Sequence, residues 1–106
     1  SITEGIGQSR ITKNLEGIKF DGAFKVHDKT ALKIVYELIN SEGLLVGPTS
    51  GINVGGAIKL AKHLGPNKTI VTVLCDGAER YKSKIFNEKF LQEKNLNFKE
   101  LNKQLV

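Results

Sequence analysis

Methionine and tryptophan are absent from this chain of 106 residues, and cysteine occurs once. A single thiol, Cys75, excludes an internal disulfide framework, and no metal-ligand spacing surrounds it. Its neighbours Val71, Val73 and Leu74 predict a buried structural thiol on a strand in preference to a nucleophile. Histidine occurs only twice. His27 borders a helix start, and His63 falls in the last turn of a helix, where the dipole favours a cation. No carboxylate pair or metal cluster assembles from spacing, so no metal is expected. Long apolar runs are missing too: none reaches the ~18 residues of a membrane span, and no charged segment with an apolar stretch opens the chain. Neither a membrane partner nor an oxidising compartment is expected, and a cytoplasmic location is the simplest inference. Charge of one sign does not dominate either. Sixteen Lys and Arg stand against 11 Asp and Glu, a net charge of +5. The basic residues are interleaved with acids, as in Lys82, Lys84, Glu88, Lys89, Glu93 and Lys94. That pattern is a solvated surface, without the dense basic stripe and aromatic platforms of a nucleic-acid site.

Hydrophobic residues make up 40 % and charged residues 25 %, an ordinary globular balance. The length allows one domain, spanning 1–106, with one modest core. Residues 1–19 are polar and carry Gly5, Gly7 and Gly17, which reads as a loop. Residues 22–26 predict a short edge strand, and Asp28 a helix N-cap. Ala31, Leu32, Val35, Leu38 and Ile39 then share one helical face, with Gly43 as the stop. Leu44, Leu45 and Val46 predict a buried strand, and Pro48, Thr49, Ser50 and Gly51 a tight turn. A second helix follows from Ile52 to Leu64, ended by Gly65 and Pro66. The continuously apolar or β-branched run 69–75 predicts a parallel strand covered on both faces. Beyond Asp76 the chain turns polar and helical, with Phe98, Leu101 and Leu105 at helical spacing. The order strand, helix, strand, helix, strand predicts an α/β fold: a small parallel sheet with flanking helices and right-handed crossovers.

Ligands of open parallel sheets bind outside the carboxyl ends of the strands. Two turns fall there: residues 47–51 and residues 76–81. A third glycine turn, Gly5-Ile6-Gly7, has less defined flanks. Each also has a structural reading. Glycines relieve backbone strain, Thr49 or Ser50 serves as an N-cap, and Glu79 with Arg80 forms an exposed ion pair of little energy. The start of the second helix would also attract a phosphate. Residues 47–51 match neither nucleotide-binding glycine fingerprint.

Three ordered segments carry more information together than singly. They are Glu4-Gly5-Ile6-Gly7, then Glu42-Gly43-Leu44-Leu45-Val46-Gly47-Pro48-Thr49-Ser50-Gly51-Ile52-Asn53-Val54, then Asp76-Gly77-Ala78-Glu79-Arg80-Tyr81. In order and spacing the chain resembles the cysteine synthases, fold-type II pyridoxal-phosphate enzymes related to cystathionine β-synthase, from about Ser1 to about Leu96. The resemblance implies a C-terminal part of the cofactor-binding domain. It implies that Thr49 bonds the pyridine nitrogen of pyridoxal 5'-phosphate, in a place where serine is usual. A neutral hydroxyl there leaves the ring nitrogen largely unprotonated, a weaker electron sink suited to β-replacement. It further implies that Gly5, Ile6 and Gly7 lie near cofactor and substrate, and that Asp76 lies near the pyridine end. The partners implied are a small amino-acid substrate and a second copy of the chain, as a homodimer or other self-association.

The chain departs from the family at Gly77 and Ala78, where Ser-Gly is common, and Pro48 stiffens the turn before Thr49. The family's Schiff-base lysine, substrate-carboxylate loop and phosphate cup lie upstream of the matching segments. No lysine here sits in the matching context, so catalytic residues are expected to be supplied by a longer parent and the chain alone to be inactive. The implied reaction of the parent, a transferase or lyase, replaces the acetoxy group of O-acetylserine with sulfide. The alternatives are a cystathionine β-synthase-like or serine/threonine-dehydratase-like enzyme, or a non-catalytic α/β binding module.

Overall fold

The computed structural model describes residues 13–77 together with Glu79 and Gln92. The glycine turn Gly5-Ile6-Gly7, the remainder of segment 76–81 and the helical spacing expected at Phe98, Leu101 and Leu105 lie outside the described residues. Two helices joined by a wide turn form the framework: α1 (Asp28–Glu37), a π-helical turn (Leu38–Glu42) and α2 (Pro48–Leu64).

Helix α1 follows its apolar period, burying Ala31, Leu32, Ile34, Val35 and Tyr36. Its N-cap is His27, whose backbone is extended (φ −76°, ψ 152°) and whose side chain makes no capping bond. Asp28, expected as the cap, is instead the first helical residue. A carboxylate is favoured there by the helix dipole, which is why the acid marks the start within one residue. The helix does not stop at Glu37 but widens into the π turn, which Ser41 braces by donating its hydroxyl to Glu37 Oε1 at 2.6 Å. Gly43 then takes the left-handed conformation (φ 67°) and ends it. The amides of Gly43 and Leu44 satisfy the carbonyls of Ile39 and Leu38 at 3.2 and 3.0 Å.

Helix α2 begins four residues before the sequence pattern places it. Gly47 is the N-cap and Pro48 opens the helix, where its missing N–H costs nothing. Thr49, Ser50 and Gly51 are therefore its first turn and not a separate tight turn. Two glycines set the packing against α1. A Cβ added at Gly51 would stand 2.3 Å from the Ala31 carbonyl oxygen and 2.9 Å from Val35. One added at Gly55 would meet Val26 at 2.9 Å and Ile34 at 3.2 Å. The helices touch because these two positions carry no side chain. Gly65 (φ 84°) ends α2 as expected, and Asn67 is a second left-handed residue (φ 64°) just beyond.

No strand forms among the described residues, so the expected parallel sheet is not present there. Residues 69–75 run extended but exposed, with Val71 at 87 % and Val73 at 63 % exposure. Leu44 and Leu45 are exposed as well. Among the described residues the two segments meet at their ends, through the antiparallel bridge of Val46 with Gly77 and the adjoining bond of Gly47 to Asp76, where parallel neighbours were expected. An apolar run becomes a strand when another backbone accepts its ladder, and no described segment offers a backbone ladder to either run. Cys75 is exposed for the same reason, against the expectation of burial. Residues 22–26 are likewise a strap along α2 and not an edge strand. Lys59 Nζ donates to the Lys25 carbonyl, and Phe24 meets His63 edge-on with ring centroids 6.3 Å apart.

Candidate functional site

The first turn of α2 is held on two sides. On one side Gly51 lies against the backbone of α1. On the other, the extended segment 73–77 is stitched to α2 by polar contacts. The Gly47 amide donates to the Asp76 carbonyl at 2.9 Å, and the Val46–Gly77 bridge adjoins it. The Cys75 amide donates to Ser50 Oγ at 2.9 Å. Asn53 Nδ2 donates to the Val73 carbonyl at 2.9 Å and lies 3.3 Å from Cys75 Sγ.

Thr49 occupies this turn half-buried, and its neighbour Ser50 is fully buried. Neither is the N-cap, which is Gly47 with no side-chain capping bond. Ser50 is a buried acceptor: a hydroxyl taken out of water is costly unless bonded, and the Cys75 amide bonds it. Asp76, half-buried, has its peptide laid against the N-cap of the helix whose second residue is Thr49. Two of the expected site residues, Thr49 and Asp76, are thus brought to one end of α2, while Gly5, Ile6 and Gly7 lie outside the described residues.

Ser50 and Asn53 were not singled out as site residues by sequence reasoning. Ser50 reads as a cap because capping is what a hydroxyl at a helix start usually does. Asn53 carried a usable signal: it is a polar residue between Ile52 and Val54 in an otherwise apolar stretch. A polar side chain in such a position needs a partner.

The chemistry of the turn suits a neutral heteroaromatic nitrogen. It presents the Thr49 hydroxyl at the positive end of a helix and has no acid in its first turn. A hydroxyl can donate to such a nitrogen without delivering a proton to it. The sequence matches the model of the pyridoxal-phosphate dependent enzyme family over residues 1–76.

The chain belongs to that family.

Among curated relatives, cysteine synthase 1 of Neurospora crassa is 46 % identical over 98 residues, covering 91 % of this chain and 26 % of the relative. A cysteine synthase of Dictyostelium discoideum is 38 % identical over 101 residues, 95 % of this chain and 27 % of the relative. An O-acetylserine dependent cystathionine beta-synthase of Bacillus subtilis is 39 % identical over 82 residues, 77 % of this chain and 27 % of the relative. The chain spans about a quarter of the length of the curated relatives it matches. Within this pyridoxal-phosphate family the matched region contains the α2 turn. No helix among the described residues is long and apolar enough to cross a membrane.

Proposed function

We propose that this chain forms the C-terminal part of the cofactor-binding domain of a cysteine synthase, a pyridoxal-phosphate enzyme that replaces the acetoxy group of O-acetylserine with sulfide. The observation that carries the reading is the first turn of α2. A hydroxyl residue, with no acid in that turn, stands at a helix N-terminus to which Asp76 is clasped. Cysteine synthases of several organisms are similar to this chain over nearly its whole length.

When bound, pyridoxal phosphate supplies the electron sink for chemistry at the substrate's α- and β-carbons. Thr49 would hold the pyridine nitrogen with a neutral hydrogen bond and deliver no proton to it. Asp76 would serve near the pyridine end, and Gly5, Ile6 and Gly7 near cofactor and substrate. The remainder of the domain brings the lysine and the phosphate-binding residues. It also supplies the strands that turn 44–46 and 69–75 into parts of a parallel sheet, covering Leu44, Leu45, Val71, Val73 and Leu74. The assembled enzyme is a cytoplasmic homodimer acting on a small amino acid.

The Bacillus relative motivates a second reading, in which a thiol amino acid takes the place of sulfide. The test is an acceptor competition in the full-length enzyme. With O-acetylserine as donor, product is quantified for sulfide and for a thiol amino acid at equal concentration. Free cysteine as the main product supports a cysteine synthase, a thioether product supports the second reading, and no consumption of O-acetylserine defeats both.

A further inference from the structure

We propose that Ser50 and Asn53 are positioning residues for the cofactor end of α2: they hold segment 73–76 on the helix so that the backbone on both sides of Thr49 is fixed. The inference rests on the reading of Thr49 given above and extends it to residues that touch no ligand.

The geometry has three parts. Ser50 is fully buried, and its hydroxyl oxygen receives the Cys75 amide at 2.9 Å. One helical turn on, Asn53 donates to the Val73 carbonyl at 2.9 Å, two residues earlier in the same extended segment. Beyond Cys75, the Asp76 carbonyl receives the Gly47 amide at 2.9 Å. The segment is therefore pinned at Val73, Cys75 and Asp76, and the helix is engaged at Gly47, Ser50 and Asn53. Thr49 lies inside that span. Its φ and ψ are constrained by Gly47 before it and Ser50 after it, and both of these are tied to the same strip of backbone.

No ladder of strand hydrogen bonds performs this task among the described residues. The only backbone pairing between the two segments lies at their ends, at Val46 with Gly77 and Gly47 with Asp76. Between Val73 and Cys75 the attachment is made by side chains alone. Two side chains thus tie the strip to α2 at this point, and loss of either loosens that tie next to the cofactor end. Displacement of a holding group by about 1 Å is enough to cost much of a site's efficiency, so the tether bears directly on Thr49. On the far side of the turn Gly51 abuts the Ala31 carbonyl, so the helix start cannot follow the strip if it shifts.

The test uses the full-length enzyme with four variants: Ser50→Ala, Ser50→Thr, Asn53→Ala and Thr49→Ala. Hydrogen–deuterium exchange of peptides covering 72–77 is followed by mass spectrometry in cofactor-free protein, and the affinity for pyridoxal phosphate is measured by equilibrium dialysis. Exchange at the Cys75 amide should quicken about threefold to tenfold in Ser50→Ala, the range set by one hydrogen bond. Ser50→Thr, which keeps the acceptor oxygen, should restore it. Thr49→Ala should leave exchange as in the wild type yet weaken cofactor binding. Ser50→Ala and Asn53→Ala should weaken cofactor binding severalfold although they touch no ligand, and should change the visible absorption of the bound cofactor. If exchange quickens but cofactor affinity and absorption match the wild type in both Ser50→Ala and Asn53→Ala, while Thr49→Ala is impaired, the tether is structural only and this inference is overturned with the functional reading intact. If Thr49→Ala and the tether variants alike leave cofactor binding unchanged, the reading of Thr49 fails and the inference falls with it.

Discussion

At the scale of single residues, Thr49 and Tyr36 show how environment decides what a hydroxyl does. Thr49 is half-buried in the first turn of a helix, where the proposed function gives it the pyridine nitrogen as partner. Thr49→Ala in the full-length enzyme should weaken pyridoxal-phosphate binding by about one neutral hydrogen bond, ~0.5–1.5 kcal/mol. Thr49→Ser should restore it, and Thr49→Asp should shift the visible absorption of the cofactor by delivering charge to the ring nitrogen. Dialysis and absorbance titrations check all three, and wild-type behaviour in Thr49→Asp would mean that another group holds the nitrogen. Tyr36 is nearly inaccessible in α1, and burial pushes its phenol up to about 12 from 10. Burial opposes the charged form, so the unfolded chain loses this proton first as pH rises. The stabilisation is complete below pH 10, then falls as pH climbs from 10 to about 12. Tyr36→Phe should flatten the decline in thermal stability across that window. Melting curves of the cofactor-free protein, wild type against variant, make the comparison.

At the scale of elements, the helices were legible and the sheet was not. The spacing of Ala31, Leu32 and Val35 and the stops at Gly43 and Gly65 read correctly, because helical periodicity and left-handed caps are local properties. The start of α2 was misplaced by the glycine-flanked Thr49 and Ser50, which look like a turn until the close approach of Gly51 to α1 is known. The runs 44–46 and 69–75 have strand composition, yet a strand is a relationship between segments, and its partners are not among the described residues. Of the candidate site, the two positions that the structure brings to one end of α2, Thr49 and Asp76, were legible as residues of strand-to-helix turns. The roles of Ser50 and Asn53 were not, since they depend on contacts across 25 and 20 residues of sequence. The contact at Gly51 also yields a sharp expectation. Gly51→Ala would place a methyl group 2.3 Å from a backbone carbonyl that cannot rotate away. Overpacking of this kind costs about 1–3 kcal/mol, outweighing the better helix propensity of alanine, ~1 kcal/mol. Thermal unfolding should show a lower midpoint for Gly51→Ala. Gly56→Ala, which meets nothing within 4 Å, should be neutral or stabilising.

At the scale of the whole molecule, the described residues hold a small core of α1 side chains under α2 and leave much apolar surface uncovered. Val71, Val73, Leu74, Leu44 and Leu45 are all exposed. Exposed apolar residues clustered in this way mark a surface that another part of a protein covers, consistent with a chain that spans about a quarter of its relatives' length. The connection from Gly65 to Lys68 contains two left-handed residues, Gly65 and Asn67, and lies outside both α2 and the pinned strip. The two flanks are also joined by the contacts of Gly47, Ser50 and Asn53 with Asp76, Cys75 and Val73, so covalent continuity there is predicted to be dispensable. Exposed tips of this kind are where proteases cut first. Trypsin should cleave the native full-length protein after Lys68 early in a limited digest. The two pieces should co-elute on a native column and part only in denaturant. The same link is accordingly a point at which the gene could be split in two and its halves co-expressed to rebuild the cofactor end of α2.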